Sequence, residues 1–467
     1  VAEGTTDAEG RYLLEGTSAA TTLEVYARIV HDGHDLAVSR DPGGGQDHVL
    51  SIPLGQVRAL AEGADATAVG ATAPVEADHA ATAQVDIRDA EPMAGALHIL
   101  DMLYEGATAV KRWVDVTLPP FFAYWGRGVT TDWSFYTGER PHGSGRYTIE
   151  LLGGEPGRQA STDTDEHDEL IVLHEFGHFV MDVLSSDSSP GGQHPRGFLL
   201  DPGLAWEEGR ATWFATMVKR SPMYLDTIGI EPGGSLRVSH DLERGHIHDV
   251  RGMGSESSVA EVLWDLADGA DGVPDQDHDG VALGPAGVLR AMIEISRQDG
   301  AHPALPGFLR HLADHEIASE ESLRAILILG GHPTSILPPS GVDPWPRALA
   351  LPGKASDKID GLSDPAPSGG PPRPLNGQDA VHVYRVHLPR AGRLSASLVI
   401  FGTGRGEDHE DVDLELRDIR TTVLDRSVGE TPRETVSRIL EPGWYLLTVR
   451  DGGQGNRVGY ELEVRLD

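Results

Sequence analysis

Hydrophobic and polar positions alternate with two different periods along this chain of 467 residues. From about residue 83 to residue 336, apolar side chains recur at the three- and four-residue spacing of amphipathic helices, between irregular stretches. From about residue 379 to the end the period is two, which indicates β-strands separated by Gly and Asp turns. The pattern predicts a multidomain chain with a mainly α (α+β) region followed by an all-β sandwich.

The clearest helical segments lie in the first of these regions, where short strands accompany them. The helices are predicted at 93–114, around ELIVLHEFGHFVMDVL, at 204–219 and at 256–268, and the strands at 120–126 and 145–154. In the second region the predicted strands are VHVYRVHL, RLSASLVIF, VDLELRD, WYLLTVR and YELEVRL.

Three further segments complete the expected domain organisation. Residues 1–56 alternate around a turn at 6–10 and resemble the last strands of a transthyretin-like or carboxypeptidase-regulatory-like β-sandwich, present only in part. Residues 57–82 are Ala-rich, and residues 337–378 are rich in Pro, Gly and Ser, so both are predicted to be linkers. The two larger units are then 83–336 and 379–467.

Composition narrows the functional classes. The net charge of −35 argues against binding to nucleic acid phosphates or to an anionic membrane surface. The chain has no Cys, which excludes disulfides, thiolate metal ligands and Cys nucleophiles. No apolar run approaches the roughly 20 residues that span a bilayer, and the sequence starts at Val1 without a signal peptide, so a processed secreted form is one reading.

The strongest chemical signal is His-Glu-Phe-Gly-His, from His174 to His178. On a helix, positions i and i+4 lie on one face, so both imidazoles can reach one ion while Glu175 lies beside them. This is the HExxH signature of zinc hydrolases, in which the Glu is the general base. The flanking residues are apolar almost all round, so the helix should be buried and its polar side chains need partners. The alternative to metal binding is that the two His residues cap the helix or pack against its neighbours.

A catalytic zinc needs three protein ligands, and without Cys the third must be His, Asp or Glu. Two adjacent carboxylates, Glu207 and Glu208, lie on the next helix, although an acidic first turn would also favour a helix N-terminus. Here the chain resembles the gluzincin class of zinc metallopeptidases, in which a later Glu completes an HExxH site within a motif like Asn-Glu-Gly-x-Ala. The match of residues 207–211 implies a zincin-like fold and the ligand Glu208, with Glu207 in reserve.

The resemblance also implies groups around the ligands. Thermolysin-like and fungalysin-like members often carry an Asp four residues after the ligand Glu, where this chain has Thr212. A later His in these enzymes stabilises the oxyanion, which suggests His248, with His246 and His240 nearby and Tyr224 as another donor. For each of these His residues a surface position is the simpler explanation.

An Asp-rich loop at 268–280 offers a second cation site. Asp275, Asp277 and Asp279 alternate before Gly280, as at the start of an EF-hand loop, but position twelve would be Ala286. A simpler calcium loop and a solvated turn both remain open.

The C-terminal strands resemble the bacterial pre-peptidase C-terminal domain, which accompanies secreted peptidases. Together with the zinc motif, this resemblance implies a secreted bacterial zinc endopeptidase that acts on protein or peptide substrates, with Zn²⁺ and a possible Ca²⁺ as cofactors. One alternative is a non-catalytic extracellular binding or adhesion protein with a structural or vestigial metal site. Another is a zinc hydrolase that acts on a different class of substrate.

Overall fold

The computed structural model describes residues 22–41, 45–53, 92–129, 133–138, 147–192, 194, 197–229, 235–245, 250–273, 275, 280–342, 345–360, 380–401, 411–429, 431–452 and 457–467. The turn expected at 6–10 and the linker expected at 57–82 lie outside these ranges.

The strands of the first half belong to three sheets. They are β1 (Thr22–Tyr26), β2 (Arg28–His31), β3 (His34–Ser39), β4 (Val49–Pro53), β5 (Phe121–Tyr124), β6 (Phe135–Tyr136), β7 (Tyr147–Glu150), β8 (Met223–Ile228) and β9 (Ser235–Asp241). The central sheet has the order β2–β3–β5–β7–β6, with β3, β5 and β7 parallel and the outer two antiparallel to their neighbours. β1 pairs with β4, and β8 pairs with β9.

Seven α-helices are described, and the four predicted helices are among them, with ends within about two residues of prediction. They are α1 (Pro92–Val114), α2 (Glu169–Leu184), α3 (Pro202–Lys219), α4 (Glu256–Ala267), α5 (Gly284–Ser296), α6 (Leu305–Asp314) and α7 (Glu320–Leu329). None of the described helices combines the length and apolar character needed to span a membrane.

Local sequence explains where the two helices nearest the candidate site begin. The carboxylate of Asp201 accepts hydrogen bonds from the Gly203 and Leu204 amides, and Pro202 occupies the first position of α3. Ser255 caps α4 by accepting from the Ser258 amide. Both helices therefore begin at a residue that caps the first turn.

The C-terminal region is a two-sheet β-sandwich, as predicted. One sheet has the order β10–β12–β17–β14–β15 and the other has the order β11–β18–β13–β16. The strands are β10 (Arg347–Ala348), β11 (Gly353–Asp360), β12 (Val381–Leu388), β13 (Gly392–Phe401), β14 (Val412–Asp418), β15 (Val423–Ser427), β16 (Arg433–Leu440), β17 (Gly443–Asp451) and β18 (Arg457–Leu466).

The strand pairing corrects two of the predicted boundaries. β3 pairs in parallel with β5, so strands assigned to a separate N-terminal module share a sheet with the expected metallopeptidase domain. β10 and β11 lie inside the predicted 337–378 linker, yet they pair with β12 and β18 of the sandwich. The sequence has no local signal for the pairing of β3 with β5, and β11 has only one buried residue to mark it as a strand.

α2 is held against the central sheet by aromatic side chains. Phe176 and Phe179 of α2 have ring centroids 5.0 Å and 4.4 Å from that of Phe121 on β5. Phe176 also lies 6.2 Å from Phe214 of α3, which joins the two helices. These contacts place α2 between the sheet and α3 and fix which of its faces meets Glu208.

Candidate metal centre

Helix α2 presents the two His residues of the motif to one point. The rings of His174 and His178 are nearly perpendicular, at 85°, and their Nε2 atoms are 3.2 Å apart. His174 and Glu175 are each only 8% exposed, so the site lies within a buried helix, as the flanking apolar residues predicted. The spacing of the motif thus has the geometric effect expected of it.

Glu208 of α3 completes the group. Its Oε2 atom lies 3.2 Å from His174 Nε2 and 3.3 Å from His178 Nε2. Ligand atoms bound tetrahedrally at about 2.0–2.1 Å from Zn²⁺ are about 3.3 Å from one another. The three atoms therefore form a triangle whose sides match the edges of a zinc coordination tetrahedron. Two imidazoles with one carboxylate are also a donor set that zinc uses.

The electrostatics of the group favour a cation at its centre. Burial alone would raise the pKa of Glu208, but the charge of His178 and hydrogen bonds from both imidazoles hold that pKa well below its usual range. Burial opposes a charge on His178, yet the Glu208 carboxylate raises its pKa to about 9. The proton on the His178 imidazole thus supplies the positive charge beside Glu208, and a divalent metal ion bound there would displace this proton.

Thr212 is placed to orient one ligand. Its Oγ1 atom lies 3.1 Å from Nδ1 of His174, on the opposite side of the ring from Nε2. If Nδ1 carries the proton and donates it to the hydroxyl, Nε2 keeps its lone pair for a metal. Thr212, four residues after Glu208, therefore contacts a His of the motif.

Glu207, the reserve choice for the third ligand, is engaged elsewhere. Its Oε1 atom accepts a hydrogen bond of 3.0 Å from the Ser188 amide, and its Oε2 atom forms an ion pair with the fully buried Arg210. These contacts give Glu207 a structural role next to the group that Glu208 joins.

Sequence reasoning missed two residues near the group: His194, which contacts Glu208, and Glu256, which contacts His194. His194 Nε2 is 3.7 Å from Glu208 Oε1, and its Nδ1 is 3.4 Å from Glu256 Oε2 at the start of α4. Burial opposes a charge on His194, but a hydrogen bond to Glu256 and the charge of Glu208 raise its pKa to about 9. His194 belongs to an irregular Gly- and Pro-containing segment, where no periodicity marked it.

Two of the four residues considered as oxyanion donors lie in the described part of the chain. His248 and His246 lie outside the described residues. His240 is buried, with Nε2 2.7 Å from Glu261, which also forms an ion pair with Arg251. Tyr224 on β8 is the candidate that reaches the site, because its ring centroid is 5.9 Å from that of His174. Burial, reinforced by the charge of Glu175, raises the pKa of Tyr224 well above its usual value, so it keeps its proton.

Carboxylates gather at two other places in the described part of the chain. Asp275 has an oxygen within 4.8 Å of oxygens from Glu243 and Asp268, whereas Asp277 and Asp279 lie outside the described residues. The second group consists of Asp163, Asp165 and Asp226. Calcium binding by the Asp-rich loop stays a prediction.

One family comparison covers the candidate site. Residues 142–298, about a third of the chain, match the family described as the Mycolysin C-terminal domain. That domain is found in secreted zinc metallopeptidases, and the matched range includes both His residues of the motif as well as Glu208. The site therefore lies in a segment with a metallopeptidase context. No curated protein matches the chain.

Several solved structures are similar to about a quarter of the chain. One is the pre-peptidase C-terminal domain of a Bacillus anthracis collagenase, with 16% identity and a TM-score of 0.19 over 26% of this chain and 93% of that one. Another is a periplasmic inhibitor of g-type lysozyme from Aeromonas hydrophila, with 14% identity and a TM-score of 0.16 over 26% of this chain and 98% of that one. A third is a mitogen from Yersinia pseudotuberculosis, with 12% identity and a TM-score of 0.17 over 25% and 88%.

Proposed function

We propose that the chain is a secreted zinc-dependent endopeptidase. The observation that carries the proposal is the triangle of His174 Nε2, His178 Nε2 and Glu208 Oε2, with sides of 3.2–3.3 Å. The family match over the same segment supports a peptide rather than another substrate, and the net charge of −35 disfavours nucleic acids.

Zn²⁺ held by His174, His178 and Glu208 would supply a Lewis acid for the scissile carbonyl and for a water molecule. Glu175 would take a proton from that water and pass it to the leaving amine. Burial raises the pKa of Glu175, and this brings its proton affinity closer to that needed for both transfers. Because the helix is buried, the local dielectric constant is low, and this also strengthens the electrostatic interaction between Glu175 and the reacting groups.

The oxyanion that forms at the carbonyl needs a donor besides the metal. Tyr224 lies beside His174, is partly buried and keeps its hydroxyl proton, so it suits that role. His194 is more exposed and is held by Glu256, so it can bring a positive charge to the rim of the site. Among the described residues these two are the proposed donors, and His248 stays a prediction outside them.

The decisive variant is Glu175→Gln, measured on the full chain. We expect it to retain zinc, because the ligands are untouched, and to lose at least about 100-fold in kcat on a peptide library or casein. Zinc content is measured by elemental analysis, and a chelator should abolish wild-type activity. Glu169→Gln, the same change at a partly exposed position of α2 that pairs with Lys219 rather than with the candidate ligands, is the matched control and should keep its activity.

Each outcome separates the candidate functions. Full activity of Glu175→Gln would refute the mechanism. Wild-type protein that holds zinc but cleaves no peptide would instead support the non-catalytic binding protein or a hydrolase of another substrate class.

A further inference from the structure

The C-terminal sandwich is attached to the helical region at the loop between α5 and α6. Trp444 of β17 donates from Nε1 to Asp299 over 2.9 Å, and Arg385 of β12 donates to the carbonyl of Gly300 over 2.9 Å. Gly300 lies directly against the Trp444 ring, since a Cβ there would be 2.5 Å from it. The two units are thus joined through close contact and not only through the connecting chain.

A continuous series of contacts leads from this attachment to the start of α3. The carbonyl of Ile419 in the sandwich lies 3.3 Å from Nδ1 of His302, and the His302 ring stacks on Trp345 at 4.9 Å. The Trp345 ring in turn covers Gly203, where a Cβ would be 2.7 Å from it. Burial lowers the pKa of His302 to about 3, so this ring packs as a neutral group.

The charge at the start of α3 is also balanced by the sandwich. Asp201 caps the helix and is 4% exposed, and burial raises its pKa to about 7. The amides of the first turn oppose that shift, and so do the positive charges of Arg417 on β14 and Arg450 on β17. The sandwich therefore helps to keep the capping carboxylate ionised, which is the form that holds the first turn best.

Apolar packing crosses the same boundary. Val383 of β12 and Leu446 of β17 belong to the buried cluster that contains Trp345 and Trp206 of α3, rather than to the core of the sandwich. The start of α3 is accordingly built from both units. Glu208 lies only five residues beyond Gly203, about 7.5 Å along the helix axis.

We propose that the C-terminal sandwich is a positioning element of the metal site: it fixes the first turn of α3 and thereby holds Glu208 within reach of His174 and His178. The proposal rests on the proposed function and deepens it, because it makes the sandwich part of the zinc-binding unit. Removing or displacing the sandwich should weaken zinc binding without changing any ligand.

Gly300→Leu tests this in the full chain, with Gly331→Leu as a matched control. Both glycines have φ near +70°, so either substitution strains the backbone equally, but only Gly300 faces Trp444, while Gly331 faces open space. We expect Gly300→Leu to weaken zinc affinity by about 10-fold or more and Gly331→Leu to leave it nearly unchanged. Affinity is measured by competition with a chromogenic chelator, and the visible spectrum of the Co²⁺-loaded protein reports distortion of the ligand set.

Trp444→Ala provides a second, less intrusive variant if Gly300→Leu fails to fold. It removes the ring and the Asp299 hydrogen bond without adding bulk, and its zinc affinity should fall in the same direction. Unchanged zinc affinity and an unchanged Co²⁺ spectrum in the folded interface variants would overturn the role of the sandwich alone. Wild-type protein that binds no zinc would overturn the proposed function and this inference with it.

Discussion

At the scale of single residues, the neighbours Glu207 and Glu208 show how position on a helix separates two identical side chains. Glu208 meets His174 and His178, whereas Glu207 meets Arg210 and the Ser188 amide. Consecutive residues on an α-helix point about 100° apart, so only one of the two can face the imidazoles. The third proposed ligand and a structural ion pair therefore share one dipeptide.

Exchanging each Glu for Gln should divide the two roles. Glu208→Gln should weaken zinc affinity by at least roughly 100-fold, more than the loss of an outer partner. Glu207→Gln should keep zinc affinity but lower the free energy of unfolding by about 3 kcal/mol, because it leaves the charge of buried Arg210 without its partner. Chelator competition and urea denaturation measure the two effects. The opposite assignment of effects would make Glu207 the ligand.

The sequence predicted His174, Glu175 and His178 as site residues from their local helical spacing, and it predicted Glu208 from the resemblance of residues 207–211 to the gluzincin motif. His194 and Glu256 could not be found in this way, since His194 reaches Glu208 from a different segment of the chain and Glu256 contacts His194 from a third segment. Tyr224 was one of several donors compatible with the sequence, and only the fold shows that it lies against His174. Contacts between distant segments of the chain bring these residues to the site, and residue type alone does not reveal such contacts.

At the scale of elements, glycines let the helices around the site approach closely. Gly177, inside the His-Glu motif, faces α3, where a Cβ would be 3.1 Å from the Ala211 backbone. Gly209, directly after Glu208, faces α4, where a Cβ would overlap with the Val259 side chain. The glycine in each motif thus has a packing reason: it permits the helix approach that brings the ligands together.

Gly209→Ala should therefore destabilise the protein although Ala favours helices. The added methyl group forces α3 away from α4, and we expect a loss of about 1–3 kcal/mol together with weaker zinc binding. Gly307→Ala in α6 is the control, because a Cβ there meets open space, and it should stabilise the protein by about 0.5–1 kcal/mol. Urea denaturation of both variants measures the difference. Equal effects would mean that α3 and α4 are not tightly packed at Gly209.

Element types were predicted well where the hydrophobic period is long and regular, as in α2 and the sandwich strands. Element partners were not, because the sequence contains no local signal that β3 will pair with β5 across the whole of α1. β11 was missed for a different reason: Ile359 is its one buried side chain, and the half-buried positions before it are not large apolar residues, so the sequence shows little period-two hydrophobic pattern. For these two reasons the boundaries predicted near residues 56 and 378 do not follow the strand pairing.

At the scale of the whole molecule, the excess of 73 acidic over 38 basic side chains also reaches the interior. Burial raises the pKa of Asp165 to about 8, and the charges of Asp226, Asp168 and Glu175 add to that effect against a hydrogen bond from Ser134. Burial likewise raises the pKa of Asp226 to about 7, with a further contribution from Asp168. Some of the acidic side chains, such as Asp165, are thus expected to be protonated near neutral pH.

The sign of the resulting pH dependence follows from linkage. A carboxyl group with a higher pKa in the folded than in the unfolded state favours folding below its unfolded pKa, near 4. That contribution is lost as the pH rises through about 7 for Asp226 and about 8 for Asp165. The stability of the metal-free protein should consequently fall between pH 5 and pH 8.

Asp165→Asn should flatten this fall. We expect little change in the free energy of unfolding near pH 5 and a gain of roughly 1–3 kcal/mol at pH 8, relative to the wild type. Urea denaturation across the pH range measures it, with the exposed Asp32→Asn as the control for loss of one negative charge. A variant that loses stability equally at both pH values would show that Asp165 is ionised throughout or matters only as a hydrogen-bond acceptor.

The parallel pairing of β3 with β5 has a kinetic consequence. About 80 residues separate Ser39 from Phe121, so this contact forms only after a long loop has closed, which slows folding. Phe121 is also the residue on which Phe176 and Phe179 of α2 pack. The His-Glu helix thus docks on a strand whose own neighbour is recruited from far upstream. Assembly of the proposed metal ligands should therefore be among the later events in folding, and until then the edge of β5 is open to pairing with other chains.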